Sequence, residues 1–295
     1  MQGQDPRGFR LAIRARTRGL TAADVERALA DRSLVVTWLN RGTLHLVRSE
    51  DYPWLHALTA PQQLTGIMRR LSEQGVGAKE ADRGVRAVVD ALADEGPLTR
   101  AQVRERIAAA GVGTDGQVPI HVLGLASLRG HVVRGPMIGK QHAYVLVRDW
   151  LGEPGPVDRE AALAELARRY LAGHGPADDR DLAKWAGIGL RDARAGLAAA
   201  GPVPSGRVQK LPPPRLLGSF DPVLLGWASR ENVTGPHADR LVSGGIFRPF
   251  ALVDGRAAAT WTLRDGRVKL EPFAPLPARV AEALDEEAAD VLRFL

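Results

Sequence analysis

The amino-acid sequence predicts an α+β fold, mainly α, in which helix-and-hairpin units recur in tandem and a β meander follows. Three observations carry this. An amphipathic helical run followed by two short β-type runs around a tight turn occurs twice, ending near residues 47 and 147. A third segment, 158–200, reads as helix, break, short helix, glycine turn and helix. Residues 215–275 then change to strand-like runs with two Asp-Gly turns.

Taken in order, residues 6–19 (PRGFRLAIRARTRG) interleave arginines with Phe9, Leu11 and Ile13, an alternation that predicts extended or irregular chain. Thr21 is placed to cap a helix through Ala30, with Asp24 where a capping-box acid sits and Val25 and Leu29 at i, i+4. LVVTWLNRGTLHLV (34–47) is a hairpin signature, two β-rich runs flanking Asn40-Arg41-Gly42, with Trp38 in the core. Residues 51–74 read as helical. Residues 82–94 form an amphipathic helix broken by Gly96-Pro97, and Thr99 caps the next, which stops at Gly111. A further helix covers 117–129, and 131–147 is two strands around a Gly-Pro and Gly-Lys loop.

After the Gly/Pro linker 151–157 come helices at 158–172, 177–187 and, past a turn at Gly189, 190–200. LPPP (211–214) marks a boundary. Asp254-Gly255 and Asp265-Gly266 punctuate a meander of about three strands, and 277–295 is a final amphipathic helix. Three helices with a two-stranded wing are the winged helix-turn-helix plan. The predicted organisation is therefore tandem winged-helix units at 1–80, 81–150 and 156–212, with a C-terminal meander and helix at 213–295.

Composition narrows the chemistry. The chain has no cysteine, which excludes disulfides, thiolate catalysis and cysteine-ligated zinc. It has no uninterrupted apolar run of membrane-spanning length and no signal-peptide core, so a cytoplasmic protein is expected. The seven histidines lack tight ligand spacing, and no P-loop or G-x-S-x-G motif occurs. No metal, nucleotide or other cofactor is expected. Positive charge is concentrated. Residues 1–48 carry nine arginines against four acids and 201–270 carry ten basic groups against five, whereas 49–200 balance. Such blocks suit phosphate if folding joins them, and are ordinary solvated surfaces if it does not.

The run QGQDPRG at the N-terminus, then RTRGLTAADVERAL, TWLNRGTLHLV and EDYPWL, together with SFDPVLLGWASR (219–230) and GGIFRPFALVDGRAAATW (244–261), resembles the winged-helix DNA glycosylases of the AlkZ/YcaQ type. The resemblance extends over essentially the whole chain. It implies tandem winged helices around a concave DNA-lined face, and excision of bulky N-alkylated purines or unhooking of interstrand crosslinks. The expected partner is double-stranded DNA carrying such purines, and the expected state a monomer. The family's Gln-x-Gln or Gln-x-Asp signature supplies its catalytic groups, which fall here on Gln2 and Gln4. Family members usually have a helical segment ahead of the signature, so leading helices are expected either to precede Met1 or to be absent. Gly3 stands where a bulkier apolar residue is common.

The chemistry is consistent with the residue type. Glutamine has no usable pKa and cannot be a strong base, but an N7- or N3-alkylpurine is already cationic and departs with little help. Two amide oxygens at i and i+2 of extended chain lie on one side, able to hold a water and stabilise an oxocarbenium-like sugar. Asp5 is either a nearby carboxylate for that site or a cap for the turn before Pro6. Arg10, Arg14, Arg16, Arg41, Thr43, His45, Lys140, Arg248 and Arg256 are candidate DNA contacts, each with an ordinary surface or packing role as its alternative. Asp221-Pro222 reads as a tight turn. The competing function is a non-catalytic winged-helix protein, either a regulator or one that shields lesions.

Overall fold

The computed structural model describes residues 1–139, 141–201 and 211–295. Its helices of two turns or more are α1 (Pro6–Arg14), α2 (Ala22–Ala30), α3 (Tyr52–Thr59), α4 (Leu64–Glu73), α5 (Ala78–Glu95), α6 (Arg100–Ala109), α7 (Val118–Leu128), α8 (Arg159–His174), α9 (Asp179–Ala186), α10 (Leu190–Ala200) and α11 (Ala278–Phe294). Its strands of three residues or more are β1 (Leu34–Leu39), β2 (Thr43–Arg48), β3 (Val132–Ile138), β4 (Gln141–Leu146), β5 (Arg215–Leu217), β6 (Phe250–Val253), β7 (Arg256–Arg264) and β8 (Arg267–Pro272). This is the mixed, mainly helical composition expected. No helix among the described residues is long and apolar enough to cross a membrane.

The first element corrects the sequence reading. Residues 6–14 are helical, not extended. Asp5 caps the helix by accepting the Arg7 N–H at 2.9 Å, and Pro6 opens it, where a missing N–H costs no intrahelical bond. The buried set is Gly8, Phe9, Leu11, Ala12 and Arg14, one helical stripe with a cation inside it. That cation disguised the helical period, and the alternation of Phe9, Leu11 and Ile13 is incidental.

The chain divides into two compact units, each assembled from sequence-distant pieces rather than from consecutive segments. One comprises residues 28–169 and 186–201. Its centre is a four-stranded antiparallel sheet in the order β2-β1-β3-β4. The two predicted hairpins thus share one sheet, joined where Val36 on β1 pairs with Arg134 on β3. Val35, Val36 and Thr37 are all buried, the pattern of an interior strand rather than a half-exposed one. The β1–β2 turn has Asn40 at φ 49° and Gly42 at φ 70°, with the Gly42 N–H donating to the Leu39 carbonyl at 3.1 Å. Helices α4 to α7 enclose a core that includes Ile67, Leu71, Val85, Val88, Val103, Ile107, Val122 and Leu123, and Trp38 packs against it. Helix α6 starts with a full capping box between Thr99 and Gln102. In the α9–α10 turn the left-handed residue is Gly187, at φ 68°, and a Cβ there would sit 3.0 Å from the backbone nitrogen of Arg41. Gly189 is the extended N-cap of α10 instead.

The other unit comprises residues 1–27, 170–185 and 202–295. Its antiparallel sheet runs β8-β7-β6-β5. Asp254 and Asp265 have φ of 50° and 48°, and the glycines after them 79° and 70°, the paired left-handed geometry that two-residue hairpins need. Strand β5 adds a fourth member to the expected three. Leu11 of α1, Leu216, Trp261 and the α11 residues Val280, Leu284 and Val291 form one core, so α1 and α11 both rest on this sheet.

Candidate active site

Gln2 and Gln4 lie immediately ahead of the α1 cap. Gln2 is buried at 8% exposure while Gln4 is exposed. The Gln2 Nε2 donates to the Gln4 Oε1 at 2.6 Å, which joins the two amides. An amide oxygen has two lone pairs, and the Gln4 carbonyl keeps the second for a further donor such as water. Asp5 takes the cap role of its two sequence readings, accepting the Arg7 N–H with Oδ1. Because helix geometry starts at Pro6, the signature is only two residues from a rigid element.

Arg10, Arg14 and Arg16 are each held by a carboxylate. Arg14 is 4% exposed. Its guanidinium donates to Glu287 at 2.7 Å, Asp290 at 2.8 Å and the Leu216 carbonyl at 2.8 Å. It is therefore a core ion pair and not a phosphate contact. Arg10 is paired with Glu26 and donates to the Pro6 carbonyl at 2.6 Å. Arg16 places two nitrogens on the two oxygens of Asp221, at 2.9 and 2.8 Å, and Asp221 is fully buried. Asp221 also caps the turn over Pro222–Leu224 through the Val223 N–H, as a tight turn requires. The sequence places Glu287 and Asp290 on the acidic final helix but offers no sign that they meet Arg14. The one available signal is a cation at the core-facing phase of α1.

In the other unit, Arg41 and Thr43 are half-buried at the β1–β2 hairpin. His45 shares the strand face of Thr43 but is buried, and its Nδ1 donates to the Thr43 carbonyl at 2.9 Å. Burial pushes its pKa down to about 3. A neutral imidazole cannot serve as a cationic phosphate contact, so His45 acts as a packed polar side chain. Lys140 lies outside the described residues. Arg248 and Arg256 are exposed, and among the described residues neither is held in an ion pair.

Comparison with known proteins identifies the family. A family profile described as DNA glycosylase AlkZ-like matches residues 1–294. An interstrand DNA cross-link repair glycosylase from Streptomyces sahachiroi is 28% identical, the match covering 91% of this chain and 81% of that protein. The solved structure of Streptomyces sahachiroi DNA glycosylase AlkZ superposes with a TM-score of 0.78 at 25% identity, covering 99% of this chain and 87% of that one. With the amide pair seated ahead of a capped helix and the match running from the first residue almost to the last, the chain belongs to the AlkZ-like DNA glycosylase family.

Proposed function

We propose that the chain hydrolyses the N-glycosidic bond of bulky N-alkylated purines in duplex DNA, interstrand crosslinks included, as a monofunctional repair glycosylase. The observation that carries this is the Gln2–Gln4 amide pair, hydrogen-bonded at 2.6 Å ahead of the α1 cap. In the proposed reaction the C1′–N9 bond breaks and its electron pair returns to the cationic purine, which leaves neutral. Gln4 holds the water whose oxygen bonds to C1′, and its lost proton passes to solvent. Gln2 orients Gln4 and, with it, presents amide dipoles to the oxocarbenium-like sugar. This division of labour asks for no strong base, and none is supplied.

The helix-and-hairpin groups would act as tandem winged helices that hold the duplex, with Arg248 and Arg256 at phosphates. The test is incubation with a duplex containing N7-alkylguanine and measurement of free base and abasic sites. Release above background is expected. Retained duplex binding with no release would instead support a non-catalytic DNA-binding protein.

A further inference from the structure

We propose that the loop at residues 218–221 is a positioning saddle for the catalytic signature, gripping α1 near its start and just past its end. This rests on the reading of Gln2 and Gln4 as the catalytic pair. A Cβ on Gly218 would lie 3.0 Å from the Leu11 Cβ and 3.1 Å from the Gly8 Cα, so backbone meets backbone there. A Cβ on Gly8 would run into the Ser219 carbonyl oxygen, well inside van der Waals contact. Asp221 then holds Arg16, two residues beyond the helix, with both carboxylate oxygens. The two grips, at Gly8 and Arg16, are about 12 Å apart along the helix axis. The helix cannot slide along its axis without driving Gly8 into Ser219 or pulling Arg16 from Asp221.

Between the two grips sits Phe220 at φ 56°, a left-handed conformation that a bulky side chain adopts only at a cost. Its ring is held against Phe247, with centroids 5.3 Å apart. Strain of this kind persists where the surroundings over-determine it, and it concentrates at functional sites. Simple attachment of α1 needs no such conformation, because Leu11 and the Arg14 ion pairs already fix the helix to the sheet and to α11. What the saddle adds is control of where the first turn sits, and hence where the amides four and six residues before Gly8 are held.

The experiment compares wild type, Gly8→Ala and Arg16→Lys by single-turnover base release, duplex Kd and thermal melting. Gly8→Ala shifts the start of α1 away from Ser219, and the release rate is expected to fall about 100-fold, the scale of an ångström's misplacement. Arg16→Lys keeps the charge but cannot span both Asp221 oxygens, and a smaller fall, roughly tenfold, is expected. For both, duplex Kd should stay within about threefold, since neither change removes a proposed phosphate contact. An active wild type with both variants at its rate overturns the saddle alone. So does a rate loss matched by equal loss of folded protein or of DNA affinity. Should Gly8→Ala fail to fold, Arg16→Lys decides. A wild type that binds duplex but releases no base overturns the glycosylase reading, and the saddle falls with it.

Discussion

Replacing Glu287 by alanine removes the partner that most fully neutralises a buried arginine. Its carboxylate accepts from Arg14 at 2.7 Å, from Arg215 at 2.8 Å and from the Leu216 N–H at 3.1 Å. The Arg14 side chain is 2% exposed and that of Glu287 10%, so solvent does little to screen the pair. Breaking such a pair from one side costs about 3–5 kcal/mol, because an uncompensated charge stays behind. Asp290 remains against Arg14 at 2.8 Å, which favours the lower end of that range. For a protein of this size the corresponding fall in Tm is roughly 6–20 °C. Scanning calorimetry of the full chain should show it on the transition of the unit containing α1 and α11. The double variant Arg14→Met, Glu287→Met, which removes both charges, should recover most of the loss. A fall below about 1 °C for Glu287→Ala, or a double variant no better than the single, would refute the description of Arg14 as a core ion pair.

Three further outcomes are expected. His45 is held neutral down to about pH 3, so between its unfolded value of 6.5 and that point the native state binds fewer protons than the unfolded chain. Its contribution is complete above pH 6.5 and is lost as pH falls, at up to about 1.4 kcal/mol per pH unit; urea titrations should show a shallower acid slope in His45→Gln, and equal slopes would contradict the burial argument. Arg248→Gln and Arg256→Gln should each weaken duplex binding irrespective of sequence and lower the log–log salt slope by about 0.9. Arg14→Gln should leave that slope unchanged despite losing a positive charge, because its guanidinium is turned into the core.

Local features of the fold were legible in the sequence. Asn40-Arg41-Gly42 and the two Asp-Gly pairs announce hairpins because they tolerate positive φ, and Thr99 announces a helix start. Pairing across long separations was not. Nothing in the β1 run marks Val36 as the partner of Arg134, so the merging of two hairpins into one sheet became visible only in three dimensions. Helix α1 was misread because Arg14 occupies a core position, and its justification, Glu287, is more than 270 residues away. At the candidate site, Gln2 and Gln4 gained meaning from family resemblance, since two glutamines near a terminus carry no chemical signal alone. The saddle left only faint traces, Gly8 and Gly218, because a close backbone approach leaves no side chain to read.

The most direct test of the central claim is single-turnover base release from N7-alkylguanine duplex by wild type, Gln2→Ala, Gln4→Ala and the double variant, with duplex affinity measured alongside. If the amides act as one hydrogen-bonded unit, either single change should remove most of the rate at unchanged affinity, and the double should cost little more than the worse single. Release at the wild-type rate by Gln4→Ala would contradict the claim.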